Sequence, residues 1–413
     1  MKVGIDAVGI ERIALAVRRS GPAFLKKAYT DAELVYCAGS AERLAGRWAA
    51  KEAVIKCFDG TGICFPRRRI EVLPSATGAP VVSLLADTSG AVVELSITHH
   101  SGLALAAATL TMPGRAAGSE LLLRPPDALD LPDRPKDGHK GTFGTVVVLA
   151  GSRGFTGAAY LSATAAARAG AGIVKLLVAE SIYPILAAMC TEVMATPVPE
   201  VAPGAVGHLA HEAVARQFQG ARAALVGPGL GRDSSTWRLV NDLVLEIECP
   251  LVIDADGLNA LAEHRRTLAR LPKGRVLTPH PGEMARLTGA PVARDRAGRL
   301  ELAASTAREW KAVVVLKGAR TVVAAPDGQV SEDPHEVPAL ATGGTGDVLG
   351  GLITGLVAQG LDPFTAAVSG VYIHGEAGRR VASRLGDAGL LASDLLEEIP
   401  VIQKLLREGR VER

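Results

Sequence analysis

Paired cysteines, a one-sided charge and a long apolar run are all missing from this chain, and each absence closes off a class of protein. The five cysteines, Cys37, Cys57, Cys64, Cys190 and Cys249, are odd in number, scattered and without a Cys-x-x-Cys pair. Neither a disulfide framework nor a zinc site is therefore expected, and a reducing, cytoplasmic setting is predicted. The 45 basic and 43 acidic residues leave a net charge of +2, which gives no electrostatic case for nucleic acid or a membrane surface, so neither partner is expected. No stretch approaches the ~20 uninterrupted apolar residues of a membrane span. Asp6 and Glu11 interrupt the N-terminus before any signal-peptide core forms, so a soluble protein is predicted. Internal repeats and low-complexity tracts are absent as well.

What the chain does contain is organised in two parts. A length of 413 residues exceeds one ordinary core. Hydrophobic periodicity stops between residues 111 and 140, where Pro113, Pro125, Pro126, Pro132 and Pro135 accompany Gly114, Gly118 and Gly138. This predicts a domain over 1–111, a linker over 112–138 and a domain over 139–413. In the first part, a strand over 3–8 puts Val3, Ile5 and Ala7 on one face and Asp6 on the other. A helix over 43–58 and strand-like runs at 70–73, 81–85, 92–97 and 103–110 complete a small α+β domain. In the second part, runs at 145–150, 173–178, 223–226, 251–253, 276–278 and 313–316 alternate with helical patterns such as 158–169 and 237–246. That alternation predicts an α/β domain with a mostly parallel central sheet covered by helices, ligands lying at the strands' carboxyl ends.

Polar clusters follow those runs. They are Gly151-Ser152 with Gly157-Ala158, Gly227-Pro228-Gly229-Leu230-Gly231, Asp254-Ala255-Asp256-Gly257-Leu258-Asn259, Thr278-Pro279-His280-Pro281-Gly282-Glu283 and Lys317-Gly318-Ala319-Arg320-Thr321. The richest stretch is Ala341-Thr342-Gly343-Gly344-Thr345-Gly346-Asp347, a glycine turn that delivers one carboxylate to the start of an apolar helix. Glycines let backbone amides approach an anion, and the helix adds its positive dipole end. For Asp347 two readings stand: an N-terminal helix residue stabilising by roughly 0.5–1 kcal/mol, or an acceptor of a substrate hydroxyl proton. Gly151-Ser152-Arg153-Gly154-Phe155-Thr156-Gly157 lacks the Gly-x-Gly-x-x-Gly spacing, and no Gly-x-x-x-x-Gly-Lys-Ser/Thr occurs, which argues against a dinucleotide dehydrogenase or a P-loop.

Together with His139-Lys140-Gly141-Thr142-Phe143-Gly144, these motifs make residues 139–396 resemble the ADP-dependent NAD(P)H-hydrate dehydratases of the ribokinase-like superfamily. The resemblance implies repair of hydrated NADH or NADPH: ADP phosphorylates the hydrate hydroxyl and phosphate leaves, giving NAD(P)H and AMP. It implies Asp347 as the base, and Lys317, Gly318, Ala319, Arg320, Thr321 and Gly346 as adenine nucleotide contacts. Ala158, Gly229, His280 and Asp347 would meet the hydrated dinucleotide; His280, between two prolines, also reads as a turn residue satisfying its own backbone. A small-molecule kinase of the same superfamily is the competing reading, since Gly-Thr-Gly-Asp serves phosphoryl transfer generally.

In the first part, Glu52 and Lys56 lie four residues apart on one helix face with Trp48, flanked by Arg47 and Lys51. Alone such a pair is worth ~0.3–0.5 kcal/mol, but with Asp6 it makes a seat for a hard cation carrying substrate phosphates. These residues, with Tyr29-Thr30-Asp31-Ala32-Glu33, Gly60-Thr61-Gly62 and Ser96-Ile97-Thr98-His99, resemble the holo-[acyl-carrier-protein] synthases, the small phosphopantetheinyl transferases. Transfer of 4′-phosphopantetheine from coenzyme A to a serine of apo acyl carrier protein is what that implies. Asp6 and Glu52 would hold Mg²⁺, Lys56 would assist catalysis, and Arg47, Lys56 and His99 would contact coenzyme A. The general base stays open between Asp31 and metal-activated water. The resemblance also implies a homo-oligomer, a trimer with sites between subunits. A non-catalytic binding or assembly module is the alternative for this domain.

Overall fold

The structure, a computed structural model, describes residues 2–58, 67–75, 78–84, 92–111, 122–123, 129 and 131–408. It divides into two compact units, Met1–Ser119 and Glu120–Arg413.

The first unit begins with β1 (Lys2–Gly9), then α1 (Ile10–Ala28), α2 (Asp31–Cys37), α3 (Ala41–Cys57), β2 (Ile70–Pro74), β3 (Pro80–Leu84), β4 (Val92–His100) and β5 (Leu103–Thr111). Strands β1, β5 and β4 form one antiparallel sheet in that order, and β2 pairs with β3. Helix α3 lies on the sheet so closely that a side chain on Gly4 would start 2.1 Å from the Ala53 carbonyl oxygen. The small residues Ala45, Ala49 and Ala53 permit this approach, and all are fully buried. The predicted alternation of β1 is present with its polarity reversed. Gly4 and Val8 face α3 with Asp6 between them, whereas Val3 and Ile5 are 58 % and 62 % exposed. With Leu103 at 45 % they leave an apolar sheet face open. The Gly60-Thr61-Gly62 turn lies outside the described residues.

The second unit runs through β6 (Leu122–Leu123), β7 (Thr145–Leu149), α4 (Thr156–Arg168), β8 (Ile173–Ala179), α5 (Tyr183–Met189), β9 (Met194–Val198), β10 (Glu200–Ala202), β11 (Ala205–Val206), α6 (His211–Gln217), β12 (Ala223–Val226), α7 (Ser234–Glu246), β13 (Leu251–Ile253) and α8 (Asp256–Glu263). It continues with β14 (Arg275–Leu277), α9 (Pro281–Thr288), α10 (Arg296–Trp310), β15 (Val313–Leu316), β16 (Val322–Ala324), β17 (Gln329–Glu332), α11 (Thr345–Ala358), α12 (Pro363–Leu385) and α13 (Ala392–Arg407).

Among the described residues the main sheet has ten strands in the order β6-β17-β16-β15-β14-β13-β12-β7-β8-β9. All neighbours are parallel except β15/β16 and β16/β17. Every residue of β12, β13, β14 and β15 is buried, as expected of strands covered on both faces. The linker expected over 112–138 is only partly described; within it Leu122–Leu123 pair with β17, because a sheet edge offers unpaired backbone groups to a neighbouring segment. No helix among the described residues is long and apolar enough to cross a membrane.

Chain order reverses between β7 and β12, the switch point at which a doubly wound sheet opens a crevice. The turns that follow those two strands are tied together there, Gly151 N donating to Pro228 O at 2.8 Å.

Candidate active sites

Helix α11 starts at a glycine because nothing else fits. Gly344, its N-cap, has φ +92°, and a side chain there would begin 2.7 Å from Leu161 Cδ1 of α4. Thr345 Oγ1 braces the turn by donating to the carbonyls of Leu340 and Thr342, each at 2.9 Å. Asp347 follows in the first helical turn. Burial pushes its carboxyl up to about 7; the nearby Asp254 and Asp256 charges raise it further while Lys317 opposes.

The cation beside it is shared. Lys317, at the end of β15, places Nζ 2.7 Å from Asp254 Oδ1 and 3.9 Å from Glu283 Oε2. Burial works against the ammonium, yet Asp254 and Glu283 hold its pKa above the ordinary value. Glu283 is itself buried, and burial raises it to about 7 against the pull of Lys317. His374, on α12, donates from Nε2 to Thr345 O at 2.9 Å, and burial lowers its pKa to about 4, so it is neutral near pH 7.

A cavity of about 410 Å³ lies against this group, walled by Lys317, Gly318, Ala319, Thr321, His335, Gly346 and His374 among others. Five of the six expected nucleotide contacts line it. The sixth, Arg320, turns instead to Glu332 at 3.5 Å and Glu336 at 3.7 Å. Ala158 and Gly229 meet at the switch point, a side chain on Gly229 starting 2.9 Å from Ala158 Cβ. Their turn is linked to the site through Gly231 N, which donates to Asp256 Oδ2 at 2.8 Å. His280 does what its bland reading held: Nδ1 accepts from Gly282 N at 2.9 Å and caps α9, while Glu283 accepts from His280 N at 2.8 Å. Asp254 does not cap α8, whose N-cap is Ala255, φ +50°, with no side-chain cap hydrogen bond.

In the other unit, among the described residues, Asp6 and Glu52 are held by different cations. Lys56 Nζ sits 2.8 Å from Asp6 Oδ1 and 2.9 Å from Ile5 O. Glu52 is held by Arg67, whose guanidinium carbon stacks 4.6 Å from the Trp48 ring centroid. Sequence reasoning missed Arg67, which lies 15 residues from Glu52 and outside the helix that carries it, so no helical spacing joins the two. Arg47, expected to reach coenzyme A, faces inward: it is 6 % exposed, lies 4.3 Å over Tyr36 and donates to Val72 O. Lys51 is buried too, 2.6 Å from Glu33, so its role is to fasten α3 to α2. His99 abuts Gly46 of α3, and its buried Nε2 has no hydrogen-bond partner among the described residues. Two carboxylates, Asp6 held by Lys56 and Glu52 held by Arg67, suit a hard cation that keeps most of its ligands as water and substrate phosphate. No cluster of three or more His, Cys, Asp or Glu that would hold a metal occurs among the described residues.

Comparison with known proteins finds a family for each part of the chain. Residues 146–401 match the family model of NAD(P)H-hydrate dehydratase, and residues 2–108 that of the 4′-phosphopantetheinyl transferase superfamily. The bifunctional NAD(P)H-hydrate repair enzyme Nnr of Moorella thermoacetica is 47 % identical over 278 residues, 67 % of this chain and 52 % of its own. The chain thus spans about half the length of that relative. The ADP-dependent (S)-NAD(P)H-hydrate dehydratase of Xanthomonas campestris is 38 % identical, matching 66 % of this chain and 92 % of its own. The ADP/ATP-dependent NAD(P)H-hydrate dehydratase of Bacillus subtilis, crystallised with ATP and Mg²⁺, superposes with a TM-score of 0.57 at 34 % identity, covering 68 % of this chain and 95 % of its own. The chain belongs to the NAD(P)H-hydrate dehydratase family and carries, ahead of that domain, one of the 4′-phosphopantetheinyl transferase superfamily.

Proposed function

We propose that the second unit repairs hydrated NADH and NADPH at the expense of ADP. The observation that carries this is Asp347, a half-buried carboxyl pushed up to about 7, at the mouth of a glycine turn and beside one shared ammonium. Asp347 takes the hydroxyl proton of the hydrate as that oxygen bonds to the β-phosphorus of ADP and AMP leaves. The amides of the Gly344 turn and Lys317 carry the charge of the moving phosphoryl group. Phosphate then leaves the phosphorylated hydrate with the C–O electron pair, and loss of a proton from the neighbouring ring carbon restores the double bond of NAD(P)H. Ala158, Gly229 and His280 border the dinucleotide, and the cavity beside Lys317 takes the adenine nucleotide. Purified protein given ADP and hydrated NADH is expected to restore the absorbance of the reduced nicotinamide. A stable phosphorylated vitamin or sugar in its place would make the unit a small-molecule kinase.

The first unit, in the same reading, transfers 4′-phosphopantetheine from coenzyme A to a serine of apo acyl carrier protein. Asp6 and Glu52 would hold Mg²⁺, which neutralises pyrophosphate charge when bound. Lys56, already at Asp6, is placed to meet the same phosphates, and His99 offers an unspent buried nitrogen. The open face of Val3, Ile5 and Leu103 supports assembly into a homo-oligomer, a trimer by kinship. Ile5→Glu is expected to yield a monomer by light scattering; unchanged mass would remove this face from the interface.

A further inference from the structure

Asp254 is a buried carboxylate to which the reaction above gives no task. It is 1 % exposed, ends β13, and is bonded through Oδ1 to Lys317 Nζ at 2.7 Å. Its other oxygen faces the bare backbone of α11, where side chains on Gly350 and Gly346 would start 3.5 and 3.9 Å away. Asp254 and the ammonium it holds thus both meet the helical turn that bears Asp347, a side chain on Gly346 starting 3.3 Å from Lys317 Nζ.

We infer that Asp254 is a positioning residue that holds the Lys317 ammonium against the phosphate-binding turn and keeps it from pairing with Asp347. Lys317 has two other carboxylates in range of its charge, Glu283 and Asp347. A free lysine stem would swing its head to the nearest of them. Locked on Asp254, it is available to the incoming phosphate, and Asp347 keeps its proton affinity. The groups facing Asp347 are Asp254 and Asp256 from the β13–α8 turn and Lys317 after β15, with Glu283 behind Lys317 and neutral His374 behind the Thr345 carbonyl. Burial raises Asp347 first, and Asp254 raises it next, against Lys317. Removing the Asp254 charge thus lowers the proton affinity of Asp347 twice, by loss of repulsion and by release of the lysine.

The test rests on the proposed repair reaction only for its kinetic arm. A base must be deprotonated, so kcat/KM rises with pH through the Asp347 value. Asp254→Asn is expected to move that rise to lower pH by about one unit, and Lys317→Met to move it higher. Infrared difference titration of the ligand-free full chain, with Asp347→Asn assigning the band, reads the same shift without turnover. If Asp254→Asn lowers kcat while the rise and the band stay where the wild type has them, Asp254 is merely structural and the inference is overturned. Should that variant fail to fold, an unmoved Asp347 band in Lys317→Met overturns it equally. A shifted band in a protein that repairs no hydrate leaves the positioning role standing and removes the proposed reaction.

Discussion

The two units use carboxylates in opposite ways. In the first, Asp6 has Lys56 and Glu52 has Arg67, one cation to each acid. In the second, Asp254 and Glu283 share Lys317, while Asp347 feels its charge from further off. Balanced pairs suit a seat whose cations give way to a metal or to phosphates, because exchanging one cation for another leaves each carboxylate partnered. A buried deficit of positive charge suits proton transfer, because one acid must be left reluctant to ionise. On the proposed reactions, ion pairing separates a site that handles phosphate charge from one that handles a proton.

The sharpest way to break this comparison is to remove one acid from each side. Asp347→Asn is expected to lower hydrate repair by a factor of about 10²–10⁴ while pantetheine transfer by the same preparation is unchanged. Glu52→Ala should do the converse, abolishing transfer to apo acyl carrier protein with coenzyme A and Mg²⁺ and sparing repair. An inactive wild type, or an active Glu52→Ala protein, would remove the transferase assignment.

Stability offers a smaller effect with a definite sign. The folded-state value of Asp347, about 7 against an ordinary 3.8, means that its contribution is fully present below pH 4 and is lost as pH rises through 7. Thermal scans of wild type and Asp347→Asn are therefore expected to diverge as pH rises from 5 to 8, the variant becoming the more stable by roughly 1–3 kcal/mol. Smallest of all should be Arg320→Ala. With its guanidinium on Glu332 and Glu336, the KM for ADP is expected to change less than about twofold, whereas Lys317→Ala raises it strongly.

Much of this was legible in the sequence because it is local. Near-continuous Val, Leu and Ile marked the buried parallel strands, and glycine turns marked where the backbone must approach a ligand. The reversal at β1 was not legible: alternation gives two faces but not which one the helix covers, and here Gly4 decides it by admitting α3. Arg47 and Lys51 read as flanking site residues, yet Tyr36 and Glu33, brought up by α2, draw both inward. The pairing of Asp254 with Lys317 joins residues 63 apart in sequence across three neighbouring strands, which no local pattern encodes. Arg320 sits within a motif that matches throughout, but its φ of +56° turns it out of the cavity.

The account turns on Asp347 being a base that a shared cation leaves half-neutralised, and the pH dependence of kcat/KM for hydrate repair measures that directly. Activity is expected to rise through a single acid limb at about pH 7 in the wild type. A profile flat down to an ordinary aspartate value of about 4 would contradict it.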